Sequence, residues 1–281
     1  MPDLKPLLRD FEPHELPAVL TGLGEPGYRG RQLAKWLFQD GAFTWEQMTN
    51  LPTTLRQRLA TTHDLQALQP SERIVASDGT RKYLFTLRDA ETIESVLIPM
   101  ENHATFCVSS QVGCAMACRF CATAHGGLVR QLTPGEILEQ IVHLQADLSA
   151  HPLPGHGQRQ FNIVFMGMGE PLDNWPAVNS TLNSLTAKNG FAISARRITL
   201  STSGHRSGLD SVLTTPNLKV GLTISVCGIS EERRLRLMPV AGRYSLAELL
   251  EQAAQYTRRI KRRITLAYIL IADVSDQLEE A

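Results

Sequence analysis

The chain of 281 residues lacks net charge, with 28 basic residues against 28 acidic ones. No global basic field announces a nucleic-acid partner, and only local patches remain open to that role. No run approaches the ~18 apolar residues of a membrane-spanning helix. The N-terminal stretch "MPDLKPLLRDFEPHELP" has no apolar core of the signal-peptide kind. Internal repeats and low-complexity tracts are absent. Cysteines are few, five in all. Three of them crowd into one short stretch, which is not how a secreted disulfide framework is distributed. Thiols acting as ligands or reactants in a cytoplasmic protein fit better. With 43% hydrophobic residues, the chain can fill one large domain, or a small domain and a larger one.

What is present falls into three parts. Residues 1 to about 65 read as helical: "PHELPAVLTGLG" and "YRGRQLAKWLFQDG" space their apolar residues by three and four, and each closes on glycine. Residues 70 to 107 read as strands, "ERIVAS", "KYLFTL", "IESVLIP" and "ATFCVS", with Asp78-Gly79 suggesting a hairpin. After the cysteines, helix and strand alternate. Thr133-Pro134-Gly135-Glu136 has the form of a capping box with Pro at the first helical position, and its helix is expected to run to about Leu148. "FNIVFMG", "RRITLSTS", "LKVGLTISV" and "RITLAYILI" are short apolar strands separated by helical patterns. With "ATFCVS" they give five strands, expected to be joined by helical connections in parallel β/α units. Ser275 or Asp276 offers a cap for a helix that would cover the last strand, yet the sequence ends about one turn later. A parallel sheet needs covered faces, so the chain is expected to be a C-terminally truncated form of a longer protein.

The stretch "VSSQVGCAMACRFCATAHGG" holds Cys114, Cys118 and Cys121 in the spacing C-x3-C-x2-C, with Cys107 ahead of them. Zinc sites usually offer ligands in two separated pairs, and no second pair follows within the next hundred residues, although His125 offers a fourth ligand. Three thiolates on a 4Fe–4S cluster would leave one iron open to substrate. Phe120, Gly126 and Gly127 suit a loop that wraps close to such a cluster. A structural zinc site or three buried free cysteines remain the plainer readings. Downstream, "GMGEP" supplies glycines that admit a ligand to the backbone and a carboxylate, Glu170, able to accept from an ammonium. By itself the same motif is an ordinary strand-to-helix turn.

The cysteine spacing after a first strand resembles that of the radical S-adenosylmethionine (SAM) superfamily. "CVSSQVGCAMACRFCATAHGG", "VFMGMGEPLDN" and "RRITLSTSG" resemble, in order, the motifs of the RlmN/Cfr family, which methylates adenine in 23S ribosomal RNA. "YRGRQLAKWLF" is similar to that family's helical RNA-binding accessory domain. The resemblance spans essentially the whole chain. It implies an α/β fold: a partial radical-SAM (β/α) barrel preceded by a small helical accessory domain. The implied boundaries are 1–68 for the helical domain, 69–103 for a β-hairpin and connecting strands, and 104–281 for an incomplete radical SAM core.

The resemblance also implies roles. Cys114, Cys118 and Cys121 would hold a 4Fe–4S cluster whose open iron takes the amino and carboxylate groups of SAM. Gly169, Glu170, Ser201, Ser225, Val226 and Cys227 fall where the family binds SAM. Glu94, in "TIESVLIP", matches the family's proton acceptor, and Cys107 its auxiliary thiol. Without the resemblance, Glu94 reads as a solvated strand residue, Cys107 as a buried strand cysteine, and the two serines as caps. The implied reaction methylates a late cysteine with one SAM and activates that methyl with a second. The methylene adds to carbon 2 of adenine, Glu94 removes the ring proton, and Cys107 releases the enzyme. Implied partners are 23S rRNA, tRNA at position 37, and a reductant such as flavodoxin. A cytoplasmic monomer without membrane contact is expected.

Two departures stand out. The methyl-carrying cysteine and a late SAM-contacting asparagine would lie beyond residue 281. In "TISVCGISEERR", Cys227 stands where the family has histidine. It would pack against the adenosine as a small apolar side chain, or react as a spare thiol. Two basic patches are candidates for RNA. Arg29, Arg31 and Lys35 beside Trp36 form the favoured one. Arg258, Arg259, Lys261, Arg262 and Arg263 read more simply as cations at a helix C-terminus. Rival functions are carbon-8 methylation, a non-catalytic fragment that binds SAM, cluster or RNA, and a zinc-bound RNA-binding module.

Overall fold

The computed structural model describes residues 4–153, 161–240 and 245–277. Along the chain run α1 (Leu16–Gly22), α2 (Gly27–Ala34), α3 (Thr53–Thr62), β1 (Leu68–Val75), β2 (Arg81–Leu87), β3 (Thr92–Pro99) and β4 (Ala104–Cys107). Next come β5 (Gln111–Gly113), α4 (Ala122–His125), β6 (Leu128–Gln131), α5 (Pro134–Ala150), β7 (Phe161–Phe165) and α6 (Trp175–Thr186). The remainder is β8 (Ile198–Thr202), α7 (Arg206–Thr214), β9 (Gly221–Ser225), α8 (Glu231–Leu237), α9 (Leu246–Ile260) and β10 (Thr265–Ala267). The described chain divides into two compact units. One comprises residues 1–108, 132–162 and 176–194, and the other residues 109–131, 163–175 and 195–281. Among the described residues, no helix is long and apolar enough to cross a membrane.

In the first unit, Leu16, Leu20, Leu33, Leu37, Phe38, Leu55 and Leu59 bury the apolar faces of the N-terminal helices. Gly30 lets α2 lie against α1, because a Cβ there would sit 2.4 Å from Pro17 Cα. Arg9 is 1% exposed and donates to the carbonyls of Leu65 (2.8 Å), Ala42 (2.7 Å) and Leu37 (3.4 Å), which ties the segments that follow α2 and α3 to one fork of donors. Strands β1 to β4 form an antiparallel ladder, β1–β2–β3–β4. The Asp78-Gly79 turn closes its first hairpin, with Gly79 at φ +83. Tyr83, Phe85 and Leu87 alternate inward along β2, as a half-buried strand requires. The capping box of α5 is complete: Thr133 accepts from Glu136 N, and the Glu136 carboxylate accepts from Thr133 N.

In the second unit β7, β8, β9 and β10 pair in parallel, in that order. Leu222, Thr223 and Ile224 are buried consecutively, the mark of a strand covered on both faces. Helix α9 opens with a capping box, Ser245 with Glu248, and points Leu249, Ala253 and Tyr256 inward. The Tyr256 hydroxyl donates to Val220 O at 2.9 Å.

Three features differ from the sequence expectations. Between β4 and β7 the chain contains the β5–β6 hairpin as well as helices. Both strands are too short to show a period. The last strand is only Thr265–Ala267; beyond it Ile269, Ile271 and Val274 pack into an apolar group instead of a ladder. Ser275 is fully buried, donates to Ile269 O (2.7 Å) and accepts from Ile271 N (3.0 Å), so it closes a turn. The rest of the helix expected there lies outside the described residues.

Candidate functional site

The cysteines sit on a clasp. β5 and β6 pair antiparallel with a bulge between Val112 and Gly113. Cys114 N donates to Gly127 O at 2.8 Å, which closes the loop between the strands. Gly113 is required there: its φ is +75, and a Cβ would stand 2.0 Å from Gly127 O. Inside the loop, Cys121 N donates to Cys118 O and Ala124 N to Cys121 O, each at 3.1 Å, and Arg119 N donates to Leu237 O at 2.9 Å. These bonds hold the three thiols in one apolar group: Cys114 and Cys118 are buried with Met116, Cys227, Leu237, Met238 and Val240, while Cys121, Ile269, Ile271 and Val274 pack against it.

Burial pushes the Cys114 thiol up to about 11 and Cys118 to about 12, and the neighbouring thiolates and Glu170 push in the same direction. In the metal-free chain both are therefore protonated thiols. Taking iron as thiolates requires them to release protons. Among the described residues, no three of His, Cys, Asp or Glu converge on the point a single ion would occupy. A four-iron cluster makes a different demand, because each thiolate takes its own iron. Three thiols in one shielded group, on a loop whose glycine admits close backbone approach, fit that donor set. His125 is exposed, with a ring nitrogen 3.4 Å from Arg119 O, outside the packed group.

The second part of the site is the loop after β7. Gly169 has φ +101, and a Cβ there would meet Gln111 Cβ at 2.6 Å, so this loop lies directly on the segment leading into the cysteines. Ser110 N donates to Met168 O (2.9 Å), Met168 N to Ser109 Oγ (2.8 Å) and Asn174 Nδ2 to Ser110 O (2.8 Å). Gln111, fully buried, accepts from Glu170 N at 2.7 Å and donates to Gln131 Oε1 and Asp173 Oδ2, both at 2.8 Å. Glu170 is 3% exposed. Its Oε2 accepts from Ser203 N and Ser203 Oγ at 2.8 Å, and its Oε1 from Leu172 N at 3.1 Å. Burial raises its pKa, and the bonds from Ser203, Leu172 and Thr202 pull the other way. As placed, Glu170 acts through these donors and fixes the loops after β7 and β8. Reaching a ligand's ammonium requires it to exchange one of them.

Ser201 is half-buried near the end of β8, opposite Thr223. Ser225 ends β9 opposite Ala267, and Val226 N donates to Ala267 O at 2.9 Å. Cys227 follows at φ +54, fully buried. The second unit thus contains the three clustered thiols and Gly169, Glu170, Ser201, Ser225, Val226 and Cys227. Glu94 and Cys107 belong to the first unit. Glu94 lies on β3 with Lys82 Nζ 2.7 Å from its Oε1. Cys107 ends β4 opposite Val96, half-buried and in no disulfide.

Both basic patches are engaged within the fold. Arg259 donates to the carbonyls of Leu213, Val212 and Thr215 at the end of α7, Arg262 to Lys219 O at 3.1 Å, and Arg258 pairs with Glu251 at 2.8 Å. Much of this run therefore serves the fold. Lys35 pairs with Asp40 at 2.6 Å, Arg29 donates to Gln32 and Asn50, and the Trp36 indole donates to Asn50 Oδ1. Sequence reasoning passed over Gln111, Asp173, Asn174 and Ser203. Their signal was the cluster of polar residues beside the quoted motifs, in "SSQVGC", "EPLDN" and "STSGH".

Known proteins match this arrangement along the chain. Residues 7–65 match the ribosomal RNA large subunit methyltransferase N-terminal domain, and residues 108–281 match the radical SAM superfamily. The dual-specificity RNA methyltransferase RlmN of Geobacter sulfurreducens is 41% identical over 281 residues, covering 100% of this chain and 74% of its own length. A probable dual-specificity RNA methyltransferase RlmN of Moorella thermoacetica is 43% identical over 278 residues, 98% of this chain and 77% of its own. The crystal structure of a radical SAM methyltransferase from Sphaerobacter thermophilus superposes with a TM-score of 0.92 at 38% identity, covering 98% of this chain and 79% of that one.

Proposed function

Given that the chain belongs to the RlmN family of radical SAM RNA methyltransferases, we propose that it methylates carbon 2 of an adenine in 23S ribosomal RNA and in tRNA at position 37. The observation that carries this reading is the gathering of Cys114, Cys118 and Cys121 in one buried group on a closed clasp, with the Gly169–Glu170 loop packed on the segment that leads into it. The relatives' names, RNA methyltransferases of dual specificity, support the substrate class.

The chemistry supplied by a cluster-bound SAM is one-electron cleavage to a radical that abstracts hydrogen. The protein's own residues would bind, orient and exclude water. Cys114, Cys118 and Cys121 hold the cluster. Gly169 and Glu170 would meet SAM from a loop that packs on Gln111 and is fixed by Ser203, with Ser201, Ser225, Val226 and Cys227 at the adjoining strand ends. Glu94 would take the ring proton on its carboxylate, and the Cys107 thiolate would attack the sulfur of the methyl-carrying cysteine, forming a sulfur–sulfur bond as the carbon–sulfur bond to the product breaks. Residues 1–68 serve as the RNA-binding domain, 69–103 as connecting strands and 104–281 as the radical SAM core, in a cytoplasmic enzyme reduced by a flavodoxin-like donor.

The test uses anaerobically reconstituted protein with SAM, dithionite and rRNA or tRNA. Release of 5′-deoxyadenosine is expected from the wild type and abolished in Cys118→Ala. With the chain extended to include the methyl-carrying cysteine that the resemblance implies beyond residue 281, mass spectrometry of the digested RNA separates carbon-2 from carbon-8 methyladenosine. A wild-type protein that binds no iron overturns the reading.

A further inference from the structure

A fourth thiol stands in the group that gathers the cluster ligands. Cys227 is fully buried and packs with Cys114, Met116 and Cys118, and Cys121 lies against the same group. The backbone reaches it by a sharp reversal after β9: Cys227 has φ +54 and Gly228 φ +149. Burial raises the Cys227 pKa, as it does for Cys114 and Cys118, while the backbone N–H of Ile269, which donates to its sulfur, and the nearby Arg234 guanidinium pull the other way. Cys114 receives the same kind of bond, from Met116 N–H. Hydrogen bonds to sulfur and nearby cations are the means by which proteins tune cluster thiolates. The charge of Cys227 also acts on Cys118, alongside those of Cys114 and Cys121.

Three thiolates leave one iron of a 4Fe–4S cluster without a protein ligand. The geometry points to Cys227 as a reserve ligand for that iron, bound in the absence of SAM and displaced when SAM arrives. The inference rests on the cluster reading above. In the step itself the Cys227 S–H bond breaks, its proton passes to solvent and an S–Fe bond forms; no electron moves. When the amino and carboxylate groups of SAM take the iron, the S–Fe bond breaks and the thiolate recovers a proton. Such a ligand would keep the fourth iron from being lost while the enzyme waits for its substrate.

Loss of that iron is directly measurable. The full chain is reconstituted anaerobically with iron and sulfide and then treated with ferricyanide. Electron paramagnetic resonance follows the three-iron cluster, with iron per chain measured in parallel. Cys227→Ala and Cys227→Ser are expected to form the three-iron cluster roughly 10-fold faster than wild type, in line with the usual effect of losing a metal-site partner. Saturating SAM should narrow that difference, because it occupies the same iron. Serine is nearly isosteric with cysteine, so Cys227→Ser keeps the comparison available if Cys227→Ala folds poorly. Equal rates at equal iron content overturn the inference and leave the cluster reading intact. A wild-type protein that takes up no iron overturns both.

Discussion

The two units each surround a carboxylate with donors, Asp147 half-buried and Glu170 fully buried, and they treat it in opposite ways. In the first unit, Asp147 on α5 gathers cations. Arg81 Nη1 lies 2.6 Å from Oδ2, Arg73 reaches Oδ1, and the Tyr83 hydroxyl donates to Oδ2 at 2.5 Å. Burial works against the charge, but Tyr83, Arg81 and Arg73 outweigh it, and the Asp147 pKa is lowered. In the second unit, Glu170 receives only neutral donors among the described residues, and burial wins: its pKa is raised. Asp147 is a brace, since its charge is neutralised inside the fold and locks β1 and β2 to α5. Glu170 is a carboxylate held in place without an internal counter-charge. That suits a site whose ligand carries the positive charge, as the ammonium of SAM does.

The contrast makes a ranked set of predictions. The largest effect is expected at Glu170. Glu170→Ala removes the acceptor from Ser203 N, Ser203 Oγ and Leu172 N, and each unsatisfied donor costs about 1–3 kcal/mol. Water entering the vacated space recovers part of this, leaving a loss of about 4 kcal/mol in urea unfolding and weaker SAM binding. Asp147→Asn should cost less, about 2 kcal/mol. The amide oxygen still accepts from Arg81, and Arg73 is half-exposed, but the charge that the two cations face is gone. Its loss should leave SAM binding unchanged, which equilibrium dialysis would check. A larger loss at Asp147 than at Glu170 would break the comparison.

The next expectation is a difference in pH dependence, measured on metal-free protein. Asp147 has a folded pKa below its ordinary value near 3.8. Its contribution to stability is complete above that value and is lost as pH falls below it toward the folded pKa. Glu170 has a folded pKa above its ordinary value near 4.5. Its contribution is complete below 4.5 and lost as pH rises through the folded pKa. Asp147→Asn should therefore flatten the loss of stability below about pH 4. Glu170→Gln should flatten the slope on the neutral side of 4.5. If both substitutions act on the same side, the two carboxylates are not opposites.

Much of this arrangement was legible in the sequence, and the unread remainder has a common cause. The C-x3-C-x2-C spacing marked the thiols, glycine and acidic residues marked the "GMGEP" turn, and the Thr133 capping box stands as its residues indicated. These are local signals, in which neighbouring residues determine one another. The β5–β6 hairpin escaped because strands of three and four residues contain no readable period. Gln111, Ser203 and Asp173 escaped because their roles arise only when distant segments meet. The same holds for Arg259: in sequence it joins a basic run, while in the fold it donates to carbonyls at the end of α7.

The smallest predicted effects test the hydroxyl on each carboxylate. Tyr83→Phe removes one donor from Asp147 Oδ2, where Arg81 remains. Ser203→Ala removes one donor from Glu170 Oε2, where the Ser203 backbone N–H remains. Both substitutions delete a hydroxyl with little change in volume, so each should cost about 1 kcal/mol by urea unfolding. Their consequences for charge should differ. At Asp147 two arginines still hold the carboxylate ionised, so the acid limb of the stability curve should barely move. At Glu170 no cation among the described residues stands behind the lost hydroxyl, and the already raised pKa should rise further, as one of the bonds opposing burial is gone. A Ser203→Ala protein whose neutral-side slope matches wild type would show that the backbone N–H groups and the Thr202 hydroxyl govern Glu170, and that the Ser203 hydroxyl is available to a ligand instead.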